Sequence, residues 1–229
     1  MQETSELYKS LLARGARKEV RVDVAGEIYG EDRIVSLHTG GGLFKESTLC
    51  VGSAVAKQID LVLWSYGGIP KRAKLIPSYR LIDGDEVSEW ISKGVFYIDT
   101  RVPNDEENTL TIHGFDDMLK GERIWEPDQD IEFPMTYRAA ALEIARLMGV
   151  ELDNPEDIDD TQAVVDYPTD DYTQRQVLGF IAGAHMGNFM MTDLGKLRMV
   201  KLGDIPEETS LLVDETGAAI LIGGVRILV

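Results

Sequence analysis

The chain has 229 residues, of which 44% are hydrophobic and 28% charged, and this composition is typical of a folded globular protein rather than a disordered one. Its formal net charge of −17 opposes binding to nucleic acid or to an anionic membrane surface. The only cysteine, Cys50, excludes an internal disulfide and a multi-cysteine metal centre within one chain. No apolar run approaches the roughly 20 residues that span a bilayer, and the N-terminus lacks a secretory signal pattern. We therefore expect a protein that is made and kept soluble inside the cell.

The first half of the sequence predicts a short helix followed by strands. Leu7, Leu11 and Leu12 recur at helical spacing before Gly15, which predicts a short N-terminal helix or an arm that docks on a neighbour. From Lys18 onward, valines alternate with charged residues, as in a half-buried strand. Further strands are predicted near residues 33–37, 57–64, 74–81, 94–101 and 109–113. Short strands at this spacing are typical of an antiparallel barrel or sandwich.

The middle of the sequence predicts a connection and then a capped helix. Residues 115–119 are compatible with a short helix, and the prolines and acidic residues of 127–134 indicate a domain boundary near residue 125. Thr136 is placed to cap a second helix, whose apolar stripe stops at Gly149. An acidic loop at 153–160 and a short strand at 163–166 are expected next.

The sharpest local pattern lies between residues 171 and 202. Thr173 and Gln176 have the spacing of a capping box, which predicts that a helix begins there. Gly187 is predicted to supply the left-handed residue that closes this helix. The period then changes to two around a turn at 193–195, which predicts a β-hairpin.

The end of the sequence is again strand-like. Strands are predicted at 211–214 and 218–229, and the chain stays apolar up to Val229. Because termini usually lie exposed at the surface, we expect the sequence to be a fragment of a longer protein. The predicted class is α+β in three parts: a β-barrel-like domain with an N-terminal helix at 1–125, a small α/β domain at 126–205, and a further strand-rich region from 206 to 229.

No motif carries a catalytic signature. The glycines at 40–42 match no phosphate-binding template, and the acidic run lacks the glycine and glutamate spacing of a calcium loop. His38, His113 and His185 lie in separate elements without the spacing of metal ligands. We therefore predict no catalytic residue, no cofactor and no metal site.

Two other functions remain open from the residues alone. The first is a metal- or acid-assisted hydrolase in which His113, Asp116 and Asp117 form an acid–base site. The second is a carbohydrate-binding β-domain, which would need a cluster of exposed aromatic side chains. A cleft that brings the histidine and both aspartates together would favour the first.

Two segments resemble bacteriophage tail and baseplate hub proteins. The strand-rich first part looks like the N-terminal barrel of that family, through GSAVAKQIDLVLW and then GVFYIDTRVPNDEENTLTIHGFDDML. The second part is similar to the α/β portion that the family inserts between two barrels, through TYRAAALEIARLMGVEL and DYTQRQVLGFIAGAHMGNFMMTDLGKLRMV. On this resemblance, residues 206–229 are the first strands of a second β-barrel.

The resemblance implies a non-enzymatic structural role. Members of the family form trimers in which two barrels per subunit give a pseudo-six-fold ring, which joins a hexameric tail tube to a three-fold spike. The spike proteins of type VI secretion, another contractile injection system, share this architecture. The implied partners are further copies of the chain, tail tube or distal tail proteins, and a spike or tape-measure protein, without membrane or specific nucleic-acid binding. The implied location is the virion tail of a phage or prophage, after synthesis in the bacterial cytoplasm.

Overall fold

The computed structural model describes residues 4–44, 50–64, 67–161, 163–165, 171–203, 221–222 and 225–226. The helices are α1 (Glu6–Ala13), α2 (Tyr137–Met148) and α3 (Gln174–Ala184), with short 3₁₀ helices at Asp117–Glu122 and Pro155–Asp157. The strands are β1 (Arg17–Val24), β2 (Glu27–Tyr29), β3 (Ile34–Gly40), β4 (Ser53–Val55), β5 (Gln58–Trp64), β6 (Lys74–Asp83), β7 (Glu86–Val87), β8 (Ile91–Ser92), β9 (Phe96–Asn104), β10 (Thr109–Asp116), β11 (Met135–Thr136), β12 (Ala163–Val165), β13 (Gly187–Met191), β14 (Leu197–Lys201), β15 (Leu221–Ile222) and β16 (Val225–Arg226). Among these residues, no helix has both the length and the apolar character needed to cross a bilayer.

Nine strands form one antiparallel sheet in the order β2-β1-β6-β9-β10-β5-β3, with β7 and β8 paired to β6. The predicted α+β class and the six predicted strands of this region are confirmed. The prediction of a barrel is wrong, because no ladder joins the end strands β2 and β3. The carbonyl of Gly30 accepts from the backbone N–H groups of Arg33 and Ile34, both at 3.0 Å, and this tight turn connects the two strands without pairing them.

The inner face of this sheet carries the first hydrophobic core. On β5, β10 and the first residues of β9, buried side chains alternate with outward-facing ones, and Ile59, Leu61 and Leu63 of β5 are all fully buried. Helix α1 covers one end of the sheet, where Leu11 packs in a small cluster with Leu81. The predicted N-terminal helix is thereby confirmed as a part of the domain's own packing.

The second hydrophobic core lies between α2, α3 and the hairpin β13–β14. The predicted cap of α2 is confirmed, since the Thr136 hydroxyl accepts from the backbone of Ala139 at 3.2 Å and Gly149 closes the helix with φ of 70°. The predicted capping box of α3 is also complete: Thr173 N donates to Gln176 Oε1 at 2.8 Å, and Gln176 N donates to Thr173 Oγ1 at 3.2 Å. Reciprocal caps of this kind satisfy two N–H groups that the helix itself cannot.

The end of α3 differs from the prediction. The left-handed residue is Met186, with φ of 53°, whereas Gly187 is already the first residue of β13. A Cβ atom on Gly187 would lie 2.6 Å from the carbonyl oxygen of Val200 on the paired strand β14. The glycine is therefore explained by close strand approach and not by the helix cap. The predicted hairpin is confirmed.

A third strand, β4, pairs in parallel with β13, although it comes from the first part of the chain. Asn188 fastens this junction with a fully buried side chain. Its Oδ1 accepts from the backbone N–H of Ser53 at 2.9 Å and from the Ser53 hydroxyl at 3.0 Å. Its Nδ2 donates to the carbonyls of Leu43 at 3.0 Å and Cys50 at 2.7 Å. All four hydrogen-bonding positions of the Asn188 amide are thus filled. The domain boundary near residue 125 stays a prediction.

The remaining predicted strands have mixed outcomes. The strand predicted at 163–166 is confirmed as β12 up to residue 165, and it pairs with β11. Within 218–229, the strands β15 and β16 form an antiparallel pair. The strand predicted at 211–214 and residue 166 lie outside the described residues.

Candidate assembly surface

The strand β3 forms an open edge of the large sheet. It pairs with β5 on one side, and no described strand pairs with it on the other. Its seven residues, IVSLHTG, include no Asp, Glu, Lys, Arg or Pro. Natural proteins usually protect an exposed edge with charges, prolines or bulges, because its unpaired backbone groups can pair with another chain. Among the described residues of this edge, the one such device is a bulge at Val35, and the register from Ser36 to Gly40 is regular.

Three large apolar side chains on the outer side of this sheet are exposed. Val35, Trp64 and Val102 are 57%, 54% and 63% exposed, although each lies in or beside a regular strand. The strand registers place an uncharged row across four strands, made of Ser36, Val62, Thr111 and Val102. Neighbouring exposed apolar side chains of this kind are a feature of interaction sites rather than of ordinary surface.

The next row across the same face contains two of the three histidines. His38 and His113 both lie opposite Asp60, one from β3 and the other from β10. His113 Nδ1 donates to Asp60 Oδ1 at 2.7 Å, and the His113 ring meets the Phe115 ring edge-on with centroids 4.7 Å apart. Asp60 is therefore the carboxylate partner of His113. The sequence offered no sign of it, because the pairing depends on the register of strands 53 residues apart.

Asp116 and Asp117 have other roles than the hydrolase alternative gives them. Asp116 lies on the inner side of β10, where its carboxylate accepts from the backbone N–H groups of Lys57 at 3.0 Å and Met118 at 3.1 Å. Asp117 forms an ion pair with Lys120 at 2.7 Å. Within the described part of the chain, no hydrogen bond joins His113 to either aspartate. The three residues do not form the acid–base arrangement of that alternative.

Burial changes the acidity of Asp116. The side chain is 4% exposed, and the loss of hydration raises its pKa to about 6, while the two backbone donors and Lys57 act in the opposite direction. The raised pKa of Asp116 accompanies a structural role, because its carboxylate connects the residue before β5 to the start of the 3₁₀ helix. No nucleophile accompanies it among its hydrogen-bond partners.

We expect Asp116 to make the fold more stable on mild acidification. The folded protein binds this proton with a pKa of about 6 and the unfolded chain with the ordinary 3.8, so the folded state gains stability as the pH falls between these values. At about 1.4 kcal/mol per pKa unit, the wild type should gain about 2 kcal/mol over Asp116→Asn between about pH 6.5 and about pH 4.5. Urea unfolding of both proteins at each pH measures this difference. All other titrating groups are present in both proteins, so their contributions cancel when the two free energies of unfolding are subtracted. A difference that does not change with pH would contradict the prediction.

The remaining sequence candidates have structural contacts. His185 Nδ1 donates to the carbonyl of Ile181 at 2.8 Å, and its Nε2 accepts from the backbone N–H of Asp159 at 2.8 Å, so this histidine ties the acidic loop to α3. The carbonyl of Cys50 accepts from Asn188. In the described ranges, no three His, Cys, Asp or Glu side chains are grouped as metal ligands would be.

Solved structures that are similar to this one include two bacterial tail proteins. The 43 kDa tail protein of prophage MuSo2 from Shewanella oneidensis has a TM-score of 0.51 at 15% identity, over 85% of this chain and 59% of that one. The tail protein from Neisseria meningitidis MC58 has a TM-score of 0.55 at 16% identity, over 89% of this chain and 58% of that one. The fold is shared with these two tail proteins.

The likeness to these tail proteins is one of structure. No protein-family model matches the sequence, and no curated protein is similar to it in sequence. The chain spans less than three fifths of the length of each tail protein. The two matches extend over 85% and 89% of this chain.

Proposed function

We propose that this chain is a structural, non-enzymatic component of a phage or prophage tail, located in the virion. It forms a ring with further copies of itself, as a trimer when full length, and the ring joins the tail tube to the tip or spike as a baseplate hub does. Its neighbours are tail tube or distal tail proteins on one side and a spike or tape-measure protein on the other. In this proposal, residues 1–125, 126–205 and 206–229 correspond to a hub domain, an inserted α/β domain and the start of a second β domain.

The observation that carries the proposal is the open edge of β3 together with the exposed apolar side chains of Val35, Trp64 and Val102. A ring of identical subunits removes exposed edges, because each edge is covered by the neighbouring copy. The shared fold of the two tail proteins supports the same role. The hydrolase alternative has no comparable support, since His113 is paired with Asp60 and Asp116 serves as a helix cap.

The proposal predicts that a charge at the edge prevents assembly. Val35→Lys places an ammonium group at an exposed position of β3, so the fold should lose no more than about 0.5 kcal/mol. The neighbouring copy would have to desolvate this charge, and the oligomer should dissociate. Light scattering after size-exclusion chromatography measures the mass, and thermal unfolding followed by circular dichroism checks the fold.

The matched control is Val87→Lys, which introduces the same charge at an exposed valine of β7, away from the β3 edge. This variant should assemble as the wild type does. In the full-length protein, a wild type that remains monomeric at high concentration, or a Val35→Lys variant that assembles normally, would refute assembly through β3.

A further inference from the structure

A groove of about 440 Å³ opens beside the bulged end of β3. On one side lie Glu31 and Asp32 of the β2–β3 turn together with Val35, and on the other lies Glu107 of the β9–β10 hairpin. Trp64, at the end of β5, lies between them with about half of its side chain exposed. Since Val35 belongs both to β3 and to this groove, a strand paired with β3 would run directly into it.

The groove has an excess of negative charge. Glu31 is paired with Arg17 at 2.9 Å, but Asp32 and Glu107 form no ion pair with any described Lys, Arg or His side chain. The cation of the groove, Arg33, is held by Glu27 at 2.8 Å and lies over the Tyr29 ring. An exposed indole face flanked by carboxylates attracts cations through both the ring quadrupole and the negative charges.

We propose that this groove binds the arginine or lysine side chain of an extended partner segment that pairs with β3. The backbone of the partner would add a strand to the open edge, and its cationic side chain would lie over Trp64 between Asp32 and Glu107. Strand addition supplies affinity that depends little on sequence, whereas the groove selects for the positive side chain. The inference rests on the proposed role of β3 as an assembly edge and adds the chemistry of the partner.

The test measures peptide binding to the full chain by calorimetry. The probe is a capped peptide of alternating threonine and valine that begins with arginine, and the reference peptide has glutamine in its place. The arginine peptide should bind about tenfold more tightly at low salt. The preference should disappear in Glu107→Gln and in Trp64→Leu but persist in Glu106→Gln, which changes the adjacent exposed residue of the same hairpin outside the groove.

Equal binding of the two peptides, or an arginine preference unchanged by Glu107→Gln, would overturn the inference. Binding of a neutral chitin oligosaccharide at Trp64 in place of the peptides would also overturn it and would favour a carbohydrate-binding site. The outcome is separate from that of the proposed function. If the protein forms rings but shows no preference for the arginine peptide, only the proposed binding groove is refuted. If it binds the arginine peptide but never assembles, only the proposed ring is refuted.

Discussion

Replacing Asn188 by leucine should destabilise the protein by about 4 kcal/mol, although leucine has the same branching and the same number of side-chain heavy atoms as asparagine. The substitution leaves the backbone N–H of Ser53 and the carbonyls of Leu43 and Cys50 without their partner. Each buried polar group that loses its hydrogen bond costs about 1–3 kcal/mol. Chemical denaturation followed by circular dichroism measures the free energy of unfolding.

Asn188→Asp separates the role of hydrogen bonding from that of shape. The aspartate can still accept from Ser53, but its second oxygen faces the carbonyl oxygens of Leu43 and Cys50, where the wild type has a donor. This variant should therefore be at least as unstable as the leucine variant, since it also buries a charge. Asn104→Ala is the control, because that exposed amide only caps a hairpin turn and its loss should cost about 1 kcal/mol or less. A loss below about 1 kcal/mol in both Asn188 variants would contradict the role given to this residue.

The second large effect is expected where α3 crosses the backbone of Gly52. A Cβ atom on Gly179 would lie 2.8 Å from the carbonyl oxygen of Gly52, which is a backbone atom and cannot rotate away. Gly179→Ala therefore forces α3 away from the segment that leads into β4. Overpacking of this kind costs about 1–3 kcal/mol. We expect a net loss of about 2 kcal/mol, even though alanine favours the helix itself.

Gly183→Ala is the matched control for this contact. It lies one turn further along the same helix, and its Cβ would meet Gly52 at an ordinary 3.5 Å. At this position the gain in helix propensity of up to about 1 kcal/mol should outweigh any cost of the new contact with Gly52. The variant should therefore be at least as stable as the wild type. Thermal and urea unfolding of both variants give the comparison, and equal stabilities would mean that the helix can move away from Gly52 at no cost.

The N-terminal ends of α2 and α3 were the most predictable part of the fold, because their capping signals are local. Thr136 and Thr173 each lie within three residues of the group that they cap, and both caps are present. The strands β2, β4, β7, β8 and β11 were missed because segments of two or three residues carry little usable alternation, and their pairing partners decide their conformation. Gly187 was misinterpreted for the same reason, since its role comes from Val200 on the opposite strand.

The candidate surface depends even more on information that a single sequence does not carry. The low charge of residues 34–40 is visible in the sequence, but their position at the edge follows from the strand order. The pairing of His113 with Asp60 and the position of Trp64 between Asp32 and Glu107 likewise require the register of the sheet. Period-two alternation shows which residues share a face, but it does not show which strands are neighbours.

The junction between β4 and β13 also affects the order in which the chain can fold during synthesis. Ser53 and Asn188 are 135 residues apart, so β4 leaves the ribosome long before its partner. At a synthesis rate of about 5–20 residues per second, this interval is roughly 7–27 s. The large sheet can form during that time from strands that are already available, whereas β4 and the residues that Asn188 fastens must wait.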